Sequence, residues 1–302
     1  MEILYLLEKI RMPVLNEFML LITQFGEETA FLVVALILFW CVNKKTGYFV
    51  LSVGFVGTLT NQFMKLWFRI PRPWVLDENF TILEQAREAA TGYSFPSGHT
   101  QSAVGTFGAI AGTTSKRWVC AVAVTIAILV PFSRMYIGVH TPSDVLVAAG
   151  IAVGLIFLLR PMVFSEKKNW MPILLGAMLI LAVVYMCFVS FYSFADDMDQ
   201  HNLESGIESA YTLLGALIGL IIVYIVDNRW LEFPTKAIWW AQILKVVGGL
   251  LIVLVVKSGL KSPLNGIFGE LPGRSIRYCL VVLVAGIVWP LTFRWFSRLG
   301  KK

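Results

Sequence analysis

Only three histidines occur in this 302-residue chain, and two of them sit in polar breaks where chemistry is plausible on spacing alone. His140 lies in Ser133-Arg134-Met-Tyr-Ile-Gly-Val-His140-Thr-Pro-Ser-Asp144, with Asp144 one helical turn further on. A carboxylate on one imidazole nitrogen fixes the tautomer and leaves the other nitrogen nucleophilic. Thr141, Pro142 and Asp144 also read as N-cap, N1 and N3 of a helix, a capping role that can coexist with the first. His99 follows Pro96-Ser97-Gly98, where a serine and a glycine ahead of a helix offer free N–H groups and a positive dipole end to an anion. An ordinary serine N-cap uses the same letters. A third cluster, Lys65-Leu-Trp-Phe-Arg69-Ile-Pro-Arg72-Pro73, puts three cations at helical spacing until its prolines intervene. Alone, it has the look of a snorkelling basic collar. Together, two helix starts, several cations, two histidines and an aspartate amount to an anion-handling centre, since ionisable groups at membrane depth are costly and usually functional.

The elements that must position these groups are membrane spans. The chain is 57% hydrophobic and 15% charged, with a mean hydropathy of +0.74; soluble domains carry about 25% charged residues. Nine apolar runs of spanning character are expected, at 28–42, 47–67, 97–115, 118–132, 144–160, 170–194, 206–226, 237–256 and 277–296. The expected fold class is therefore an all-α polytopic membrane helix bundle of about nine transmembrane helices. The net charge of +6 is mostly topological and does not point to nucleic acid. Lys44, Lys45, Lys116, Arg117, Arg160, Lys167, Lys168, Arg229 and the tail fall in alternate loops, which the positive-inside bias makes cytoplasmic. The three chemical clusters then face outward, as does the acidic loop with Asp196, Asp197, Asp199, Glu204 and a solvated His201. Loop 257–276 breaks the pattern with Lys257, Lys261 and Arg274. Cys41, Cys120, Cys187 and Cys279 lack ligand spacing and read as small buried hydrophobes. Residues 1–27 show no signal-peptide pattern and are expected to form an interfacial segment with a short amphipathic helix.

In order, Lys65-x6-Arg72-Pro73, Pro96-Ser97-Gly98-His99 and Ser133-Arg134-x5-His140-x3-Asp144 resemble the three-part signature of the type 2 phosphatidic acid phosphatase (PAP2) superfamily. The resemblance covers about residues 28–160. It implies a PAP2-like catalytic membrane core over 28–164, with four additional C-terminal spans of unknown role over 165–302. It implies that Lys65, Arg72, Ser97, Gly98 and Arg134 bind phosphate, that His140 attacks phosphorus to give a phosphohistidine with Asp144 orienting it, and that His99 protonates the leaving oxygen and then activates water. No metal and no cofactor are expected, fixed cations doing that work.

A site at span ends lies near headgroup depth, so the expected partner is a membrane lipid. Phosphatidic acid, phosphatidylglycerophosphate or a polyprenyl diphosphate would fit, with the active site outside an inner (plasma) membrane. A glucose-6-phosphatase-like sugar phosphatase is the runner-up within the same chemistry. A lipid-translocating or transport protein with an anion site is the alternative from another class. Its case rests on Lys245 inside a span and on Gly-rich stretches in residues 165–302, for which scaffolding or a homodimer surface is the favoured explanation.

Overall fold

A computed structural model describes residues 1–87, 90, 92–194 and 198–300; Asp196, Asp197 and the final lysines lie outside the described residues. Among the described residues there is no strand. The helices are α1 (Glu2–Lys9), α2 (Pro13–Thr23), α3 (Glu28–Ile37), α4 (Lys44–Phe68), α5 (Pro73–Leu76), α6 (Gly98–Thr113), α7 (Arg117–Ile137), α8 (Pro142–Phe164), α9 (Met171–Phe191), α10 (Gln200–Val226), α11 (Trp239–Gly259), α12 (Lys261–Phe268), α13 (Glu270–Leu283) and α14 (Phe293–Phe296). Among the described residues, six helical runs are long and apolar enough to cross a membrane, and the pair Pro13–Gly26 and Glu28–Val42, bent by 57°, makes a seventh if it acts as one span. Two of the nine expected spans, α4 and α6, fall outside that set. One is only 16 residues long; the other carries Lys44, Lys45, Asn61, Gln62 and Lys65.

The chain divides into two compact units. The first comprises Met1–Val34, Phe49–Pro161 and Ala195–Ser205. Its α2 packs between α6 and α7: Met19 is buried with Tyr136, Ile137 and Val139, and Ile22 with Ala103, Phe107, Ala123 and Val130. In a bilayer such contacts stabilise through close packing rather than through expulsion of water. The bend after α2 is possible because Gly26 has no side chain; a Cβ there would come within 2.9 Å of the His99 carbonyl oxygen. Helix α1 lies along the loop after α5, with Leu4 packed on Phe80 and Ile82 and the Tyr5 hydroxyl donating to Asp77 at 2.7 Å.

Two helix ends differ from the sequence expectation, and both matter to the site. α4 stops at Phe68 because Arg69 adopts a positive φ of 51° and Pro71 and Pro73 follow. Lys65, Arg69 and Arg72 therefore do not share one helical face; Arg72 comes from the loop. Conversely, α7 continues through Pro131 to Ile137, so Ser133 and Arg134 sit on its last turns rather than beyond it. Gly138, at φ 93°, ends it in the left-handed conformation glycine tolerates.

The second unit comprises Ala35–Tyr48, Met162–Phe194 and Gly206–Lys302. Its helices approach closely where glycines permit: a Cβ at Gly219 of α10 would come within 2.9 Å of the Cys279 carbonyl oxygen on α13. Lys245 does not snorkel to a surface. It is 1% exposed, its Nζ donating to the carbonyls of Trp40 at 2.8 Å and Thr235 at 3.0 Å beneath the Phe293 ring. The four cysteines are free, and none is fully buried; Cys187 is exposed and the others are half-buried. They lie on the outsides of apolar helices instead of in the core.

Candidate active site

The sequence clusters converge in the first unit on a cavity of about 360 Å³. Lys65 from α4, Arg72 from the following loop, Gly98 and His99 from the start of α6, Arg134 from the end of α7 and His140 from the α7–α8 connection all line it. The short connection that places His140 is held at both ends. Val139 N–H donates to the Arg134 carbonyl, and α8 begins with a reciprocal cap in which Thr141 N–H donates to Asp144 Oδ2 at 2.8 Å and Asp144 N–H to Thr141 Oγ1.

His140 is 1% exposed, and its partners define its tautomer. Arg72 Nη1 lies 3.0 Å from its Nε2. A guanidinium can only donate, so Nε2 holds the lone pair and the ring proton sits on Nδ1. That proton faces Ser94 Oγ at 3.4 Å and Asp144 Oδ2 at 3.5 Å. Burial first, and then the charges of Arg72, Arg134 and Lys65, hold the His140 pKa well below the usual imidazole range, so the neutral ring is the resident form at neutral pH. Burial lowers Arg72 as well, to about 10, which leaves it charged.

Neutral groups hold two of the cations in place. Arg72 donates from Nε to the Gly92 carbonyl and from Nη1 to the Val139 carbonyl, both at 3.0 Å. Arg134 donates from Nη1 to Thr23 Oγ1 at 2.7 Å, while its buried Nε finds no partner among the described residues. Three cations around one small cavity repel each other, and a phosphoryl dianion is the group that would relieve them.

Ser97 is placed differently from the other expected phosphate ligands. It is fully buried, its Oγ accepts from Thr100 N–H at 3.4 Å as an N-cap, and its own N–H is taken by the Asp144 carbonyl. It ties α6 to α8 behind the cavity and does not line it. Gly98 has space around its Cα, a Cβ meeting nothing closer than Asn61 Oδ1 at 3.8 Å. Any need for glycine there comes from the cavity side.

Sequence reasoning missed Ser94, whose Oγ donates to Asp144 Oδ2 at 2.6 Å, and Thr23, which anchors Arg134. It also missed Glu27 and Glu28, which line the cavity from the bend that leads into α3 and from its first residue. Nothing local marks these residues; each is brought in by a helix or loop distant in sequence. His201 is exposed, as expected.

Residues 45–170 match the family model of the PAP2 superfamily, and residues 211–302 match that of the PAP2 superfamily phosphatase transmembrane extension. The chain is 32% identical over 171 residues to phosphatidylglycerophosphatase B of Bacillus subtilis, covering 52% of this chain and 79% of that protein. It is 29% identical over 146 residues to an undecaprenyl-diphosphatase of Sulfolobus acidocaldarius, covering 48% and 69%. It is 31% identical over 160 residues to the undecaprenyl-diphosphatase BcrC of Bacillus subtilis, covering 50% and 79%. No solved structure matches.

Proposed function

Given that this chain belongs to the PAP2 superfamily, and is thereby a membrane hydrolase of phosphoric monoesters or diphosphates, we propose that it dephosphorylates a lipid-linked substrate through a covalent phosphohistidine on His140. The observation that carries this reading is the His140 ring itself: neutral, with its Nε2 lone pair toward the cavity cations and its Nδ1 proton toward Asp144 and Ser94.

The steps follow from the positions. Arg72, Lys65 and Arg134 take the phosphoryl oxygens, together with the backbone N–H groups that open α6 at Gly98 and His99. As Arg72 turns from Nε2 to the phosphoryl group, Nε2 attacks phosphorus and the bond to the leaving oxygen breaks. The ring becomes cationic in that step, and Asp144, already receiving the Ser94 hydroxyl, stabilises the charge. His99, which takes up a proton once the bound phosphoryl dianion offsets the surrounding cations, gives it to the leaving oxygen. It then accepts one from the water that attacks phosphorus as the phosphorus–nitrogen bond breaks, releasing inorganic phosphate and restoring His140.

The relatives' names cover a lipid monophosphate and a polyprenyl diphosphate, and the substrate proposed here is one of those two classes. The polar character of α4 and α6 supports reading both as spans, giving nine: they line the cavity and need not be apolar all round. Residues 28–164 would be the catalytic part, and 165–302 an extension. The basic loops around Lys44, Lys116 and Lys167 support a site on the outer face of the plasma membrane. Phosphate release by the purified protein from matched lipid monophosphates, lipid diphosphates and sugar phosphates tests the substrate class. Preference for a sugar phosphate would overturn it.

A further inference from the structure

The second unit carries a basic cluster of its own, remote in sequence from every residue of the site above. α11 and α12 form one 30-residue run, Trp239–Phe268. Trp239 at its start is 72% exposed, as suits an aromatic at a membrane boundary. At 1.5 Å per residue, Lys257 lies about 27 Å further along, close to the roughly 30 Å thickness of a hydrocarbon core. The run therefore brings Lys257 and Lys261 to the opposite headgroup layer. The chain turns at Gly269, whose φ is 84°. It returns as α13 in close contact with α12, where a Cβ at Gly273 would come within 2.8 Å of the Leu264 carbonyl oxygen. The return sets Arg277 near Lys257, both against the Tyr278 ring, with Arg274 one turn earlier in α13.

The groups at this level form a built arrangement. Lys257 Nζ lies 5.7 Å and the Arg277 guanidinium 5.5 Å from the centre of the same Tyr278 ring. Arg277 is only 6% exposed, and its Nε has no partner among the described residues. Arg274 spends Nη2 on Glu208 Oε1 at 2.8 Å and leaves its buried Nε without a partner. A buried, unsatisfied guanidinium is expensive to maintain. Four cations against one carboxylate, Glu270, over residues 257–278 leave the segment short of anions, even with Glu208 counted.

We propose that Lys257 and Arg277, gathered around Tyr278, together with Arg274 one helical turn before that tyrosine, form a second phosphate-recognition site that holds the headgroup of an anionic phospholipid without hydrolysing it. Its depth at the headgroup layer favours a lipid over free phosphate. The site stands on the geometry of the second unit alone and does not depend on the catalytic reading.

The test uses the full-length protein in phosphatidylcholine–detergent mixed micelles, titrated with fluorescent phosphatidylglycerol, a phosphodiester. Lys257→Gln, at an exposed position, and Arg277→Gln should each weaken binding about fivefold, and the pair more strongly. Turnover of p-nitrophenyl phosphate should stay at the wild-type level, which also certifies folding. Arg72→Gln, in the catalytic cavity, should leave this affinity unchanged. Unaltered phosphatidylglycerol binding in Lys257→Gln, or its loss in Arg72→Gln, overturns the proposal. Displacement of the lipid by an equal concentration of inorganic phosphate overturns the lipid assignment in favour of a free anion.

Discussion

Ser94→Ala isolates the part of the site that no sequence motif announces. In the structure the Ser94 hydroxyl donates to Asp144 Oδ2 at 2.6 Å and lies 3.4 Å from His140 Nδ1, and both Ser94 and Asp144 are buried. A buried hydrogen bond to a charged group contributes about 1.5–3 kcal/mol. If that stabilisation is felt mainly when the imidazole becomes cationic, its loss lowers kcat by about 10- to 150-fold. KM should hardly change, because Ser94 does not line the cavity. Asp144 keeps the Thr141 N–H at 2.8 Å, so the fold should survive. The assay is steady-state kinetics on a lipid phosphate for Ser94→Ala, Asp144→Asn and the double variant. The double variant should lose little more than Asp144→Asn alone, since Ser94 acts through the carboxylate. Full additivity, a change confined to KM, or kcat within twofold of wild type would refute the reasoning.

Three other outcomes follow from the same geometry. His99→Ala should recover more activity than His140→Ala on a substrate with a good leaving group, such as p-nitrophenyl phosphate, because a general acid is dispensable there; equal losses would give His99 a binding role only. The folded His140 titrates below its unfolded value of about 6.5, so the unfolded chain takes up a proton that the folded chain refuses. Stability present above about pH 6.5 is then lost as pH falls, and Tm should drop less between about pH 7.5 and about pH 5.5 in His140→Gln than in wild type. Lys245→Met should lower Tm by taking the Lys245 donor from the buried Trp40 carbonyl, at about 1–3 kcal/mol, while the Thr235 carbonyl keeps Gln242 Nε2 at 2.8 Å; an unchanged Tm in detergent would mean that Lys245 is not the tie it resembles.

The residues that line the cavity were largely legible in the sequence because they lie in short polar breaks of an otherwise apolar chain. Lys65, Arg72, His99, Arg134 and His140 all line one cavity. What escaped depends on backbone geometry or on long-range packing. The left-handed Arg69 takes Arg72 off the helical face that spacing offers it, while α7 accommodates Pro131 and continues past the expected end at 132. Ser97 offers the same letters whether it caps a helix or grips an anion, and the structure gives it the cap. Ser94 and Thr23 take their roles from partners 50 and 111 residues away. Lys245 was the main support for a transport reading, and it is instead enclosed by two carbonyls and an aromatic ring. Only packing between distant segments reveals such a setting.

Rapid quenching of turnover with phosphorus-labelled lipid substrate, followed by mapping of the labelled peptide, tests the covalent step most directly. The account predicts an acid-labile, alkali-stable phosphoenzyme at His140 that is absent from His140→Ala and accumulates in His99→Ala on an activated substrate. Label on any other residue, or single-turnover phosphate release with none on the protein, would contradict it.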